Sequence, residues 1–481
     1  MRESQIFCIL TGHDYIHEIQ VITQIFFANA RFAFVEKMPL VGYAVVGRLE
    51  KKTEITCTGE FYCNGQKIST HTVNAPESTT KVIKRTLMLA LFYALKEATG
   101  QPTPWGALVG VRPAKQARLW LEEGESETVI TERLSKIYQC RADKIQLAIA
   151  VAHAEEKLIA QQKPGVGLYI GIPFCPSRCL YCSFITAQKS SSGVHKRYLA
   201  ALAKECSKLA TDLCLKGQAI NAIYIGGGTP TALSEENLTI LLDMINQFST
   251  SFMDGAEYTV EAGRPDSITR EKLALLKEHG VNRIAINPQT LNNETLERIG
   301  RKHTAQDFYK AYEAALQVGF ININTDVIAG LPGEEPEHMK HTMEGLKKLA
   351  PTHITVHTLA VKRASRLNEY RLDYPAKDFK TIDTMLTISQ EICQDLGLHP
   401  YYMYRQKNMV GHFENVGYSL PGYESLYNVA MMAETQTVLA AGAGGVTKNI
   451  IEGIQEGIRI ERTFNPKDVE TYIERMEMTE S

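Results

Sequence analysis

The chain has 481 residues, of which 44% are hydrophobic and 22% are charged, a composition typical of globular proteins with substantial apolar cores. Lysine and arginine together number 52 and aspartate and glutamate 54, so electrostatics give no reason to expect a nucleic acid or an anionic membrane as a partner. The sequence shows neither an apolar run long enough to span a bilayer nor a secretory leader pattern, and we therefore expect a soluble cytoplasmic protein.

The N-terminal part, residues 1–160, opens with segments in which apolar and polar residues alternate, as in short strands. Helical periodicity follows. The pattern predicts strands at 42–48 and 54–62 and helices across 81–98 and 127–159. No recognisable catalytic constellation lies in this part, so we predict an α+β domain of unknown role, with a linker at 161–165.

The middle of the chain, residues 165–360, alternates strand-like and helix-like segments. Strands are predicted at 168–173, 220–225, 257–261, 281–286, 321–328 and 353–359, and helices near 194–215, 234–248, 267–279, 304–318 and 335–349. This repetition predicts parallel strands joined by right-handed crossovers. Six units are fewer than the eight of a closed barrel, so we predict an α/β fold with a partial (β/α)6 barrel. A mostly helical C-terminal domain is predicted over 361–481.

Cys175, Cys179 and Cys182 follow the first predicted barrel strand. With 10 cysteines in 481 residues, such a CxxxCxxC run arises by chance in roughly 0.4% of chains. Three thiolates at this spacing can hold three irons of a cubane iron–sulfur cluster and leave the fourth open for a substrate or cofactor. Zinc is the alternative, but it prefers four closed ligands, and no second CxxC or HxxxH follows.

A second motif, Gly226-Gly227-Gly228-Thr229-Pro230-Thr231, follows the second predicted strand. Glycines let the backbone pack directly against a ligand and adopt positive φ. A nucleotide P-loop is excluded because no Gly-Lys-Ser/Thr follows. Other candidate positions also fall at the ends of predicted strands, where barrels of this kind carry their functional residues. They are Glu261, Gln289, Asp326 and the position of Ala360.

The cysteine run resembles the cluster loop of radical S-adenosylmethionine (SAM) enzymes, and the chain is similar to their oxygen-independent coproporphyrinogen III oxidase family, also called coproporphyrinogen dehydrogenases. The segments that carry the resemblance lie between about 165 and 360, with a weaker match at 411–446. They are 169–175, 226–231, 260–261, 287–290, 299–304 and 325–332. The resemblance implies a 4Fe-4S cluster on the three cysteines and SAM on its open iron.

The resemblance also implies roles for individual residues. Tyr169, Gly227 and Glu261 would contact the SAM at the cluster, and Tyr181 belongs to the same set. The remaining pocket, where the family holds a second SAM, would be lined by Gly228, Thr229, Gln289, Arg301, Asp326 and Ala360. Two positions depart from the family: Gly171 stands where a histidine is common, and Tyr181 where phenylalanine usually precedes the third cysteine.

The implied reaction is oxidative decarboxylation of two propionates of coproporphyrinogen III to vinyl groups, which gives protoporphyrinogen IX. Its partners would be the tetrapyrrole and an external low-potential electron donor. Arg363, Arg405 and Lys407 are cations available to the propionates. Two alternatives stay open: radical chemistry on another tetrapyrrole, such as haem ring opening with methyl transfer, and a haem chaperone of the same fold. The chaperone carries a His-Asn pair where this chain has Tyr427-Asn428, although His399 or His412 could substitute.

Overall fold

The computed structural model describes residues 5–27, 30–110, 112–183, 187–188, 192–362, 364–370, 373–374, 377–406, 409–453 and 457–478. The chain divides into two compact units. The first is Met1–Ile149 with Arg405–Phe413, and the second is Ala150–Tyr404 with Glu414–Ser481. The three-domain division suggested by the sequence stays a prediction. Within the described residues, no helix is both long and apolar enough to cross a membrane.

The first unit is built on a five-stranded sheet. Its strands are β1 (Gln5–Thr11), β2 (Arg31–Phe34), β3 (Tyr43–Lys51), β4 (Ile55–Cys63) and β5 (Gln66–Asn74). They lie in the order β2-β1-β3-β4-β5, with β1 parallel to β2 and β3 and the remaining neighbours antiparallel. The predicted strands at 42–48 and 54–62 are thereby confirmed.

Helices complete this part of the chain. They are α1 (Ile16–Phe26), α2 (Thr80–Thr99), α3 (Pro113–Glu122), α4 (Glu127–Glu132) and α5 (Ala142–Gln161), with a π-helical turn at Arg133–Ile137. Helix α2 packs closely on β4, since a Cβ at Gly59 would lie 2.5 Å from the carbonyl carbon of Ala90.

Arg405 belongs to the same unit and donates to the Leu108 carbonyl oxygen at 2.8 Å. The other two cations considered for the propionates, Arg363 and Lys407, lie outside the described residues.

The second unit contains the predicted barrel. Its six parallel strands are β6 (Val166–Ile172), β9 (Ile220–Gly227), β10 (Phe252–Gly263), β11 (Arg283–Ile286), β12 (Ile323–Ala329) and β13 (His353–Thr358), adjacent in chain order. Between β6 and β9 lie the short pair β7 (Phe174–Cys175) and β8 (Ala187–Gln188). Strand β11 buries all four of its residues, as expected of a parallel strand covered on both faces. All six predicted strands are confirmed.

The crossover helices also match the predictions. They are α6 (Ser192–Lys216), α7 (Glu235–Ile245), α8 (Arg270–Glu278), α9 (Asn293–Arg298), α10 (Ala305–Val318) and α11 (Pro336–Lys347), with 3-10 turns at Pro230–Ala232, Asn246–Ser251 and Pro265–Ser267. Helix α7 begins where the Ser234 side chain accepts a hydrogen bond from the Asn237 amide, a normal N-cap. Helix α10 ends at Gly319, whose φ of 95° places it in the left-handed region typical of C-caps.

The segment after residue 361 differs from the mostly helical prediction. Its described residues form α12 (Arg366–Glu369), α13 (Phe379–Asp395), α14 (Leu426–Ala433) and α15 (Val469–Met478), a 3-10 turn at Val410–His412, and five strands, β14 (His399–Tyr404), β15 (Asn415–Ser419), β16 (Val438–Ala441), β17 (Val446–Gly453) and β18 (Gly457–Phe464). Strand β15 pairs with β13 and β16 pairs with β6. The physical reason is that an open barrel leaves two strand edges with unpaired backbone groups, and these strands cover them.

Candidate functional site

The carboxyl ends of the barrel strands bring most of the predicted site residues to one edge. The cysteine loop follows β6, the glycine motif follows β9, and Glu261 lies near the end of β10. Gln289 pairs in an isolated parallel bridge with Val327, next to Asp326 on β12. Parallel strands end on the same side of a sheet, so this convergence follows from the topology.

The cysteine loop is held by backbone hydrogen bonds to other parts of the unit. The Leu180 amide donates to the Ile299 carbonyl oxygen at 2.9 Å, and the Leu367 amide donates to the Leu180 carbonyl oxygen at 2.8 Å. Cys179 is 8% exposed, whereas Cys175 and Cys182 are partly buried. These contacts anchor the loop through its middle.

The thiols provide a donor set that fits an iron–sulfur cluster. Burial raises the pKa of Cys175 to about 11, although a hydrogen bond with Thr229 opposes the rise, the Sγ–Oγ1 distance being 3.5 Å. Iron would stabilise the thiolate form against that cost. Among the described residues no three His, Cys, Asp or Glu side chains are gathered around a single ion.

The glycine motif packs tightly against protein. A Cβ at Gly228 would lie 2.5 Å from the Phe174 carbonyl oxygen and 2.7 Å from that of Ile172. The Gly228 amide donates to the Ile172 carbonyl oxygen at 2.8 Å, and the Thr229 amide donates to that of Phe174 at 2.7 Å. The sequence predicts that these glycines allow close approach of a ligand. The structure adds a second requirement, since Gly228 lets the motif pack on the strand that leads into the cysteine loop.

Glu261 is the acidic centre of the site. Its Oε1 accepts a hydrogen bond from the Tyr224 hydroxyl at 2.5 Å, and its Oε2 accepts one from the Gly227 amide at 3.1 Å. Burial raises the pKa of this carboxyl to about 7; Asp326 adds to the rise, while the Tyr224 and Gly227 hydrogen bonds and His357 reduce it. The side chain can therefore change charge near neutral pH.

Three stacked tyrosines line the same part of the barrel. The Tyr224 ring lies 4.6 Å from the Tyr427 ring and 6.3 Å from the Tyr169 ring, with interplanar angles of 20° and 18°. A Cβ at Gly227 would lie 2.9 Å from the Tyr169 hydroxyl, so Tyr169 and Gly227 lie side by side. Sequence reasoning did not select Tyr224, and its position two residues before the glycine motif gave the only signal.

Asp326 is held in its ionised form. Burial by itself would raise the pKa of this carboxyl, but His357, Asn324 and Thr355 bring it below its usual value. The His357 Nε2 lies 3.7 Å from one carboxylate oxygen, and the Asn324 amide nitrogen lies 2.7 Å from the other. An anionic carboxylate here suits an ammonium group or sugar hydroxyls.

Gln289 and Arg301 each keep a buried polar atom without a hydrogen-bond partner among the described residues. These atoms are Oε1 of Gln289 and Nε of Arg301. As whole residues, Gln289 is 8% exposed and Arg301 is 7% exposed. Gln289 also adopts a φ of 68°, unusual and costly for a residue with a side chain. Oε1 could accept a hydrogen bond from a ligand at this edge of the sheet, and Nε could donate one.

Thr229, Tyr181 and Ala360 complete the set of predicted residues. Thr229 contacts Cys175 as described above. Tyr181 packs, partly buried, against an apolar cluster that includes Leu180 and Ile299, and its hydroxyl interacts with Cys179 and Arg301. Ala360 follows β13 and is partly buried. The structure thus brings Tyr169, Gly227 and Glu261 together, and it joins Gln289 to Asp326 through a backbone hydrogen bond of 2.9 Å.

Gly171, one of the two departures from the family, is closely packed. A Cβ there would lie 3.1 Å from the Ala443 carbonyl oxygen, and a Cβ at Gly442 would lie 2.5 Å from the Gly171 carbonyl oxygen. The Tyr198 hydroxyl donates to the same oxygen at 2.6 Å. Gly171 therefore lies in close contact with the turn after β16, where a side chain would press on the Ala443 carbonyl oxygen.

Comparison with known proteins places these features in context. A model of the radical SAM superfamily matches residues 169–346. The chain is 35% identical over 473 residues to the oxygen-independent coproporphyrinogen-III oxidase-like protein HemZ of Bacillus subtilis, which covers 96% of this chain and 94% of that protein. It is also 35% identical over 283 residues to the heme chaperone HemW of Bacillus subtilis, covering 58% of this chain and 70% of the chaperone.

Among solved structures, coproporphyrinogen III oxidase (HemN) from Escherichia coli, described as a radical SAM enzyme, superimposes with a TM-score of 0.51. The identity is 20%, and the match covers 68% of this chain and 72% of the other. At this identity the likeness concerns the fold, and it agrees with the partial barrel described above.

Proposed function

The chain belongs to the radical SAM superfamily, in the family of oxygen-independent coproporphyrinogen-III oxidase-like proteins, and from this premise we propose that it oxidatively decarboxylates coproporphyrinogen III. A 4Fe-4S cluster and SAM are the cofactors of this superfamily. Held by the three cysteines, the cluster with its SAM would supply a one-electron reduction and, from it, a carbon radical able to remove a hydrogen atom from substrate. The meeting of Glu261, Gly227 and Tyr169 beside the cysteine loop supports SAM binding, and the similarity to HemZ over 96% of the chain supports the substrate class.

We assign the chain's own residues as follows. Cys175, Cys179 and Cys182 hold the cluster. Glu261 binds the ammonium group of SAM. The Gly227 amide orients the Glu261 carboxylate by donating a hydrogen bond to it. A hydrogen bond between ionised partners contributes roughly 1.5–3 kcal/mol, enough to fix the orientation of the amino acid end of SAM.

Three further residues complete the pocket. The ionised Asp326 and the unpartnered Oε1 of Gln289 accept hydrogen bonds from ribose hydroxyls or an ammonium group. The unpartnered Nε of Arg301 donates to a carboxylate. The same pocket could hold a second SAM or a propionate, and both carry a carboxylate that Arg301 can bind.

The reaction on each propionate balances in three parts. A hydrogen atom leaves the β-carbon and converts the radical to 5′-deoxyadenosine. Carbon dioxide leaves as the carbon–carbon bond breaks, and the remaining electron passes to an external one-electron acceptor. The products are a vinyl group, carbon dioxide and 5′-deoxyadenosine, and two such rounds give protoporphyrinogen IX. We place the reaction in the cytoplasm, with an external low-potential donor reducing the cluster.

An anaerobic assay tests the proposal. Reconstituted protein is incubated with SAM, a strong reductant and coproporphyrinogen III, and 5′-deoxyadenosine and divinyl product are measured. We expect both products from the wild type and neither from Cys175→Ala, Cys179→Ala or Cys182→Ala. Cys214→Ala serves as the matched control, because Cys214 is an exposed cysteine of α6. Formation of 5′-deoxyadenosine without vinyl product would overturn the substrate and favour radical chemistry on another tetrapyrrole.

A haem chaperone is the second candidate, favoured by the similarity to HemW. The residues considered for haem ligation argue against it. Tyr427, in the place of the histidine, is 7% exposed, and burial raises the pKa of its phenol, which opposes formation of a ligating phenolate. Burial also lowers the pKa of His412 to about 4, and the ring hydrogen-bonds to the backbone of Gln24 and Ile25. His399 is exposed on β14.

A haem titration separates the two candidates. We expect the wild type to bind haem weakly and Tyr427→Phe, which keeps the aromatic ring, to bind it equally weakly. Tight haem binding that Tyr427→Phe abolishes, in a protein that does not cleave SAM, would establish the chaperone function instead.

A further inference from the structure

Arg264 is a buried arginine whose side chain reaches into the cysteine loop. It follows the last residue of β10 and is 2% exposed. One terminal nitrogen, Nη1, lies 2.6 Å from the Ser177 hydroxyl, 3.2 Å from the Ser177 carbonyl oxygen and 3.9 Å from the Sγ of Cys179. The positively charged guanidinium of Arg264 therefore contacts both the backbone of the cysteine loop and Cys179, a proposed cluster ligand.

The orientation of this guanidinium is set by Asp266. The Nε and Nη2 atoms of Arg264 donate to the two carboxylate oxygens of Asp266 at 2.9 and 2.7 Å. The side chain of His303 lies behind the same carboxylate, with Nδ1 3.8 Å from Oδ1. A two-point contact of this kind restricts an arginine more strongly than a single hydrogen bond does, and it leaves Nη1 aimed at the loop.

The turn that carries Arg264 is also joined to the glycine motif. The Thr231 hydroxyl donates to the Ala262 carbonyl oxygen at 2.6 Å and lies 2.7 Å from the Ser267 hydroxyl, which in turn donates to the Arg264 carbonyl oxygen at 2.8 Å. On the loop side, the Ser177 hydroxyl donates to the Gly300 carbonyl oxygen at 3.0 Å. A continuous set of hydrogen bonds thus connects the ends of β9 and β10 with the cysteine loop.

We propose that Arg264 is a positioning residue for the iron–sulfur cluster. It orients the loop at Ser177 and, together with Asp266, sets the reduction potential of the cluster. A cubane held by three thiolates becomes more negative on reduction, so a nearby cation stabilises the reduced form and a nearby anion opposes it. Hydrogen bonds to cluster sulfurs and local charge are known determinants of such potentials. The inference depends on the cluster and is independent of which tetrapyrrole is the substrate.

Two substitutions in the ion pair give opposite predictions. Arg264→Gln removes the cation and leaves Asp266, so the potential moves to a more negative value. Asp266→Asn removes the anion and leaves Arg264, so the potential moves to a more positive value. Arg283→Gln is the matched control, because Arg283 is also 2% exposed but starts β11, at the opposite end of a barrel strand, where it donates to the Tyr423 carbonyl oxygen. That control is expected to keep the wild-type potential.

The measurement is a redox titration of the anaerobically reconstituted full chain, followed by electron paramagnetic resonance without tetrapyrrole substrate, with iron and sulfide content determined in parallel. Opposite shifts in the two variants support the inference. Shifts in the same direction, or two unchanged potentials at full cluster content, overturn it. If Arg264→Gln takes up no iron, Arg264→Lys replaces it in the comparison, because lysine keeps the positive charge. A potential of Arg264→Lys near the wild-type value, together with a more positive potential of Asp266→Asn, supports the inference. Any other pair of potentials overturns it. A failed decarboxylation assay would leave these potentials unaffected, so the two proposals fail separately.

Discussion

The hydroxyl of Tyr224 donates a hydrogen bond of 2.5 Å to the carboxylate of Glu261. The pair joins β9 to β10 at the end of the barrel where the cysteine and glycine motifs lie. Because this hydrogen bond stabilises the ionised carboxylate, it lowers the pKa of Glu261, while burial raises that pKa by a larger amount, to about 7. The balance between the two effects makes the site sensitive to pH.

SAM binding should therefore strengthen as pH rises from 6 to 8. If the ammonium group of SAM binds the ionised form of Glu261, the competent fraction of the protein rises roughly tenfold over this range. Calorimetric titration of SAM into the cluster-loaded protein should show a corresponding fall in Kd. Glu261→Gln should bind SAM more weakly and lose the pH dependence. A wild-type Kd that is constant across this range would contradict the assignment of Glu261.

Tyr224→Phe should move this pH dependence upwards. The substitution removes the hydrogen bond that lowers the Glu261 pKa, so ionisation and tighter SAM binding should begin at a higher pH than in the wild type. Tyr427→Phe is the control, since it keeps the stacked rings and leaves the Tyr224–Glu261 hydrogen bond in place. The same calorimetric series measures both variants, and an equal displacement in the two would count against a specific role of Tyr224.

The raised pKa also predicts how stability depends on pH. The folded state keeps the Glu261 proton up to about pH 7, whereas the unfolded chain releases it near the ordinary carboxyl value. The free energy of unfolding should therefore fall as pH rises between about 4.5 and 7, by about 3 kcal/mol from this group. Glu261→Gln should lack this component in urea denaturation of the SAM-free protein. Parallel curves for the two proteins across that window would show that the burial of Glu261 has no such cost.

Gly228→Ala should disrupt the connection between the glycine motif and the cysteine loop. Its Cβ would press on the backbone oxygens of Phe174 and Ile172, neither of which can rotate away, and overpacking of this kind costs about 1–3 kcal/mol. Because Phe174 directly precedes Cys175, we also expect lower iron content after reconstitution. Gly255→Ala, whose Cβ would meet no atom within 4 Å, should lose only the stability due to its positive φ and keep full iron content.

Gln289 offers a comparison of backbone strain with ligand binding. Its φ of 68° is allowed for glycine and costly for alanine, so Gln289→Gly should be more stable than Gln289→Ala by about 1 kcal/mol. Both variants lose the Oε1 acceptor and should weaken SAM binding to the same extent. Thermal denaturation and SAM titration measure the two effects independently. Equal stability of the variants would mean that the positive φ carries no strain.

Much of the barrel and the identity of its motifs could be predicted from the chain itself. Local periodicity and capping residues predict strands such as β9 and β12 and helices such as α10. Both signals depend only on neighbours a few positions away. The cysteine and glycine motifs are likewise contiguous, and their order after successive strands is enough to place them on one edge. The strands after residue 361 were missed because β15 and β16 are defined by the barrel edges they cover.

By itself, then, the sequence determined the strand–helix alternation, the three cysteines and the acidic residues at strand ends, because these are properties of short stretches of chain. Tertiary structure alone decided that Tyr224 meets Glu261, that Arg264 reaches Cys179 across 85 positions of sequence, and that the turn after β16 packs against Gly171. Charge, burial and steric exclusion between residues distant in sequence depend on how strands are brought side by side, and no local pattern of residues encodes those distances.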